Sequence, residues 1–293
     1  MLTAAGLLQS LISGVLLGFL YAVMAYGLTL TFGVMRVINN SHTVSMLLGS
    51  YISYWLFILY GIDPHISVIL SFTTLFIIGL ILEKVMIEPL LKLPDKQFEM
   101  STLIITFGGF MILEGMITGL WSGDFRAIST YYSGMSVTLD SVVVPITRIA
   151  SFVIATVMSI ALTVILMKTK IGKAIRATAQ DKDAAMCMGI DPKKIYLLAF
   201  AIGTASAGVA GTAFAIAYPF FPAIHREWLG KVFTIVVLGG MGSVLGAFIG
   251  GLILGVLESI ASYILPASIT PIVAYIVLLI VLYIKPTGIF GVK

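Results

Sequence analysis

The feature that most restricts how this chain folds is a succession of nearly unbroken apolar runs, most of them about 20 residues long, the length that spans a bilayer as a helix. They fall at 7–33, 43–61, 65–87, 101–121, 143–167, 195–218, 229–238, 243–264 and 268–284. In hydrocarbon only helices and closed barrels satisfy every backbone N–H and C=O internally. The runs are continuous and do not alternate every second residue, so they predict helices. A soluble domain carries roughly 25% charged residues, whereas this chain has 10%, with 59% hydrophobic residues and a mean hydropathy of +1.11. The expected fold class is all-α: a single transmembrane domain over 1–293, a polytopic bundle of about eight membrane segments plus one half-helix or re-entrant element. That element is 229–238, whose ten residues cover about half of a 30 Å hydrocarbon core at about 1.5 Å per residue. Ser122–Asp140, the longest polar stretch, is expected to be a loop.

Orientation follows from the loops. One alternate set holds Arg36, Lys84, Lys92, Lys96, seven cations between Lys168 and Lys194, Lys285 and Lys293; the other holds only Arg126, Arg148, Arg226 and Lys231. Positive residues concentrate in the cytoplasm, which predicts a multi-pass cell-membrane (inner-membrane) protein with its N-terminus outside and C-terminus inside. That parity requires an odd number of crossings, seven or nine, unless one segment re-enters. The net charge of +4 records this orientation and does not mark a nucleic-acid partner. The first run lacks a basic leader and cleavage site, so it is expected to remain as a helix. The single cysteine, Cys187, excludes an intrachain disulfide and is expected to be a small packing residue.

Polar groups inside the runs are few, and each needs a reason to be there. Asn39, Asn40, Ser41 and His42 cluster after the first run, and Gly239, Gly240, Gly242 and Ser243 break the chain before the eighth. Freed backbone groups are tolerated there only if buried in protein or facing a wet cavity. Each break precedes an apolar helix (NNSHTVSMLLGS and GGMGSVLGAFIG), and paired interruptions mark substrate paths in transporters built from repeats. With Glu114 and Glu258, these residues are the substrate-path candidates. A mid-bilayer carboxyl group costs about 2.5–3.5 kcal/mol, so both glutamates should face the bundle interior, a partner or water, in a structural or a path-lining role. Gly242, Gly246 and Gly250 predict close helix packing. His65 and His225 stand alone, so no metal site is expected, nor any cofactor. No nucleotide-binding loop, H-E-x-x-H or G-x-S-x-G motif occurs; the chain is not expected to be an enzyme, and ATP hydrolysis would belong to separate subunits.

Lys168–Lys194 is a charged island between two long runs. It reads as one short amphipathic helix with Ala174, Ala177, Ala184, Ala185 and Met188 on a small-residue face, a cytoplasmic handle for another protein. Four stretches give the chain a resemblance to a known family. These are Ile38–His42 ahead of Gly49; Gly172–Ala177 with Gln180, Asp181, Gly189 and Ile190; Val237–Ser243 with Gly246; and Lys285–Gly291. The chain resembles the permease subunits of ABC importers for branched-chain amino acids. It departs from them at Asn40, Ser41, Thr43 and Val44, and similar permeases serve urea, short amides or aromatic acids.

The resemblance implies that Asp183-Ala184-Ala185 followed by Gly189 is a degenerate coupling signature. Arg176, Ala177, Gln180, Asp181, Asp183, Ala184, Ala185, Gly189 and Ile190 would then dock on the ATPase. It further implies a second homologous permease, two ATP-binding subunits and an extracytoplasmic amino-acid binding protein as partners in the lipid bilayer. Two rival readings are an ion-coupled secondary transporter using Glu114 or Glu258, and an intramembrane enzyme using His42 with a carboxylate.

Overall fold

The structure, a computed structural model, describes residues 3–139, 142–266 and 268–291. Lys293, and Asp140 at the end of the expected loop, lie outside the described residues. The helices are α1 (Ala4–Met35), α2 (His42–Tyr60), α3 (Pro64–Leu82), α4 (Asp95–Trp121), α5 (Ile146–Lys168), α6 (Lys170–Gln180), α7 (Lys182–Cys187), α8 (Pro192–Ala217), α9 (Ile224–Gly239), α10 (Val244–Ile264) and α11 (Ile272–Ile284). A π-helical turn (Glu83–Ile87) and a 3₁₀ turn (Glu88–Lys92) join α3 to α4. Among the described residues seven helices are long and apolar enough to cross a membrane. The ninth run is helical only over Ile272–Ile284, because Pro271 removes a backbone donor at its start.

Local chemistry sets the helix starts. Asp63 accepts from the His65 N–H with Pro64 in the first turn, Asp191 accepts from Lys193 with Pro192 behind it, and Ser243 accepts from Gly246. In each case a short polar side chain satisfies an N–H that the helix cannot.

Two expectations are corrected. Part of the expected loop pairs with the start of the fifth run as an antiparallel hairpin, β1 (Ser136–Leu139) with β2 (Val142–Pro145). The fifth run therefore becomes helical only at Ile146, three residues after its apolar stretch begins. The charged island is two helices, not one, because Asp181 takes an extended conformation (φ −154°, ψ 110°) and caps α7 through Asp183 and Ala184.

α8 lies at the centre, buried along most of its length and packed against α1, α2, α3 and α5. α10 runs antiparallel along α1. A Cβ placed on Gly18 would lie 2.7 Å from the Leu252 Cα, and one on Gly14 2.7 Å from the Val256 Cα, so only hydrogen at these positions allows this approach. Gly246 and Gly250 instead face Gly239 of α9. The glycines of α10 thus serve two helix seams.

Contacts divide the bundle into two ends. At one, Thr3 meets Tyr263, Gln9 pairs with the Val143 backbone, and Arg126 pairs with Phe220. At the other, Gly33 touches Gly242, Ile289 N donates to Leu238 O, and a groove joins Arg36, Glu99 and Asp181. The residues at the two ends of the described chain therefore sit at opposite ends of the bundle.

Candidate functional site

α1 ends where Arg36 adopts a left-handed conformation (φ 54°), and the next five residues lead back among the helices. Thr106 of α4 donates to Ile38 O at 3.0 Å, and Asn39 Oδ1 accepts from Ser41 N (3.1 Å) and Ser41 Oγ (2.6 Å). His42 Nε2 donates to Met24 O at 2.8 Å, and the ring packs against Gly27. Met24 lies 11 residues before the end of α1, about 16 Å at the helical rise. α2 therefore begins deep in the bundle, and Asn39, Asn40, Ser41 and His42 are all buried. Among the described residues His42 meets a backbone carbonyl and no carboxylate, so they hold no His42–carboxylate pair of the kind an intramembrane enzyme would use.

The second break lies at the Arg36 end. Gly240 (φ 98°) and Gly242 (φ 89°) take conformations that side-chain-bearing residues avoid, and Ser243 restarts the helix by capping Gly246. The carbonyls freed at the end of α9 are taken up by the C-terminal segment: Ile289 N donates to Leu238 O at 2.9 Å and Phe290 N to Gly239 O at 3.1 Å. This explains the Lys285–Gly291 stretch structurally. Among the described residues no hydrogen bond joins the two breaks.

Glu114 and Glu258 each bind a cation. Glu114 Oε1 accepts from Arg226 Nη2 at 2.6 Å, with the buried His225 Nε2 at 3.3 Å. Glu258 is bound by Lys231 Nζ (2.7 Å) and by the Tyr21 hydroxyl (2.7 Å), while Lys231 also reaches Tyr21 (2.9 Å) and Glu227 (3.1 Å). Lys231 was counted above as a loop cation; it is a buried residue of α9. The signal that could have found it is the rule that an intramembrane carboxylate needs a cationic partner.

The charged island forms an ordered outcrop at the Arg36 end. α6 buries Gly172, Ile175 and Thr178, and beside it lies a groove of about 510 Å³ lined by Arg36, Glu99, Gln180, Asp181 and Tyr196. The expected small-residue face does not exist as one surface. Ala185 is buried, whereas Ala184 is exposed, as is Met188 at 82%. Arg176, Gln180, Asp181, Asp183 and Gly189 are exposed, and Ala177 and Ile190 are half-buried. Gly189 (φ 79°) turns the chain out of α7 while Ile190 N returns to Ala185 O. Cys187, expected to pack inside, is exposed. Among the described residues no cluster could hold a metal ion.

Residues 10–284 match the family described as branched-chain amino acid transport system / permease component. The chain is 31% identical over 97% of its length to the high-affinity branched-chain amino acid transport system permease protein LivH of Salmonella typhimurium, covering 95% of that protein. It is equally 31% identical to BraD of Pseudomonas aeruginosa, another such permease protein, at 97% and 95% coverage. A shorter match, 36% over 91 residues, covers 30% of this chain and 21% of the permease protein LivM of Escherichia coli.

Proposed function

Because the chain belongs to the permease components of branched-chain amino acid transport systems, we propose that it works as one of two homologous permease subunits, driven by two separate ATP-binding subunits. An extracytoplasmic binding protein delivers the amino acid at the Thr3 end. The Arg36 end, with α6 and α7, faces the cytoplasm. The likeness to LivM, over a limited stretch, supports a homologous second subunit. Substrate passes along the surfaces made by Asn39–His42, Gly239–Ser243 and the two paired glutamates, at the subunit interface.

The observation that carries the coupling role is the shape of the island. α6 and α7 are rooted in the bundle by Ile175, Thr178 and Ala185. They present Ala184, Met186 and the 82%-exposed Met188 outward. An exposed thioether on a polar, well-anchored turn suits insertion into a cleft of another protein.

Replacing Met188 with Asp should abolish co-purification with the ATPase and leave the melting temperature of the permease unchanged. Ala185→Leu should instead lower the melting temperature, because position 185 packs against its own chain. Undiminished assembly and substrate-stimulated ATP hydrolysis in Met188→Asp would count against the coupling role.

A further inference from the structure

The helical glycines fall into two groups. A Cβ added to any glycine of α1, α2, α3, α6, α8, α9 or α10 would lie within 4 Å of another residue of this chain, so each of these glycines serves a contact inside the bundle. In α4 only Gly109 does so, against Met86; Gly108, Gly115 and Gly119 have no atom there among the described residues. Spaced seven and four residues apart, these three share one side of the helix over about 16 Å. Ile104, Met111 and Ile112 stand exposed among them. Glycine inside a helix is less favourable than alanine, so three on one bare face need a reason that this chain does not supply. α4 is also the least buried of the seven spans, and α8 the most.

A second feature of the same region is polar. Arg226 pairs with Glu114 at 2.6 Å, yet its side chain is 66% exposed. Glu114 lies seven residues before the end of α4, about 10 Å inside the apolar run. Thr118, one turn further on, is exposed as well. Acyl chains would strip the water from a cation so exposed, at a cost that intramembrane charges avoid by facing protein or a wet cavity. The outer faces of α5 and α11 are of another kind: Val153 and Val157, and Ile276 and Leu279, are bulky and apolar, as a lipid-facing surface requires.

We infer that this face of α4 receives the second, homologous permease subunit. Lipid chains pack around any side chain and gain nothing from glycine, whereas a neighbouring helix uses small residues to bring its backbone close. The stripe lies within a span, so a subunit outside the membrane does not reach it and the occupant is itself embedded in the bilayer. The Arg226–Glu114 pair then faces a wet seam between two subunits in place of hydrocarbon. The Asn39–His42 turn lies directly behind the same helix, since Thr106 donates to Ile38 O at 3.0 Å, so the seam and the proposed substrate path run side by side. The identity of the occupant rests on the permease reading.

The test uses the assembled transporter, with both permease subunits and the ATPase, in nanodiscs. Benzoylphenylalanine replaces Met111, or in separate variants Val157 or Leu279, and the sample is irradiated. The Met111 variant should give a covalent adduct with the second permease subunit, and the other two should give adducts with lipid alone. An adduct from Met111 with lipid alone, or with a second copy of this chain, would overturn the assignment. Gly115→Leu/Gly119→Leu should lower recovery of the second permease with this chain by about tenfold or more. The unfolding midpoint of the purified chain should not fall, because its own residues leave that space empty and leucine is the better helix former. Parent-like recovery would overturn the assignment too. ATP-driven uptake by the parent complex is measured in parallel. Uptake without the Met111 adduct removes the interface and keeps the transport reading; no uptake and no co-purifying second permease removes the reading and the interface with it.

Discussion

Removing Lys231 should destabilise the bundle more than neutralising the glutamate that it binds. Among the described residues Lys231 Nζ has three partners, Glu258 at 2.7 Å, Tyr21 at 2.9 Å and Glu227 at 3.1 Å, whereas Glu258 has two, Lys231 and Tyr21. The Lys231 and Glu258 side chains are 11% and 10% exposed, but that of Glu227 is 46% exposed. In Lys231→Met the Glu258 carboxylate keeps one hydrogen bond in a desolvated site, and stranding a buried charge costs about 3–5 kcal/mol. In Glu258→Gln, Lys231 keeps Tyr21 and the partly hydrated Glu227, and the cost falls to about 1–2 kcal/mol, near that of a lost charged hydrogen bond. The double variant Lys231→Met/Glu258→Gln removes both charges, keeps an acceptor oxygen for the Tyr21 hydroxyl, and should cost about 1–2 kcal/mol, since a buried ion pair is often replaced by neutral groups at little loss. The coupling energy between the sites is then about 3–5 kcal/mol, far outside the few tenths expected of independent sites. Equilibrium unfolding in mixed detergent micelles supplies all four corners of the cycle. Additive single losses, or a Glu258→Gln loss exceeding that of Lys231→Met, would refute the reasoning.

Asn39→Ala removes the acceptor for both Ser41 N and Ser41 Oγ in a buried turn and should cost about 2–3 kcal/mol; an unchanged unfolding midpoint would show that the turn is held by other contacts. Cys187 is the only cysteine and is exposed, so an impermeant maleimide should label it from the cytoplasmic side alone, with protection when the ATPase is bound. Labelling from the outside would reverse the proposed orientation. Two glycines inserted between Thr169 and Lys170 should leave ATPase co-purification intact and lower the transport achieved per ATP hydrolysed; an unchanged ratio would mean that force does not pass through this joint.

The spans were legible because the cost of exposing backbone in hydrocarbon forces long apolar runs; the caps of α3 and α8 went unread although each carries an Asp before a Pro. The hairpin was not legible. β2 is four residues of Val and Pro that continue into the apolar pattern of α5, so composition does not change where the strand becomes a helix. The break between α6 and α7 carried its own signal, an Asp three residues before Ala184 whose side chain satisfies two N–H groups. The partners of the glutamates were hidden for another reason. Lys231 and Glu258 are separated by a glycine-rich reversal, and Glu114 and Arg226 by 112 residues, so only the packed bundle brings them together.

The same packing limits how a push on the charged island can be absorbed. Thr169 is at once the last residue bounding α5 and the residue whose hydroxyl caps α6 by accepting from Gly172 N. Gly172 lies against the Ile165 and Leu166 carbonyls, so the joint has no slack residue and no room for a side chain. On the other side, Ile190 N is bonded back to Ala185 O, and Asp191 begins α8 at once. Displacement of α6 and α7 must therefore move α5, move α8, or break these bonds. α8 is the helix least able to move alone: Gly203 packs on Gly27 beside His42, and Gly208 sits against Gly49 and Leu75. A shift of α8 by even one ångström would alter the contacts beneath the Asn39–His42 turn, because close-packed interiors respond to strain by switching between arrangements and not by gradual deformation. A buried polar turn starting α2 deep in the bundle is useful in that setting. Besides the internal bonds of Asn39 and Ser41, it is tied to α1 through Met24 O and to α4 through Leu103 O and Thr106 Oγ1, so it registers any movement of those helices.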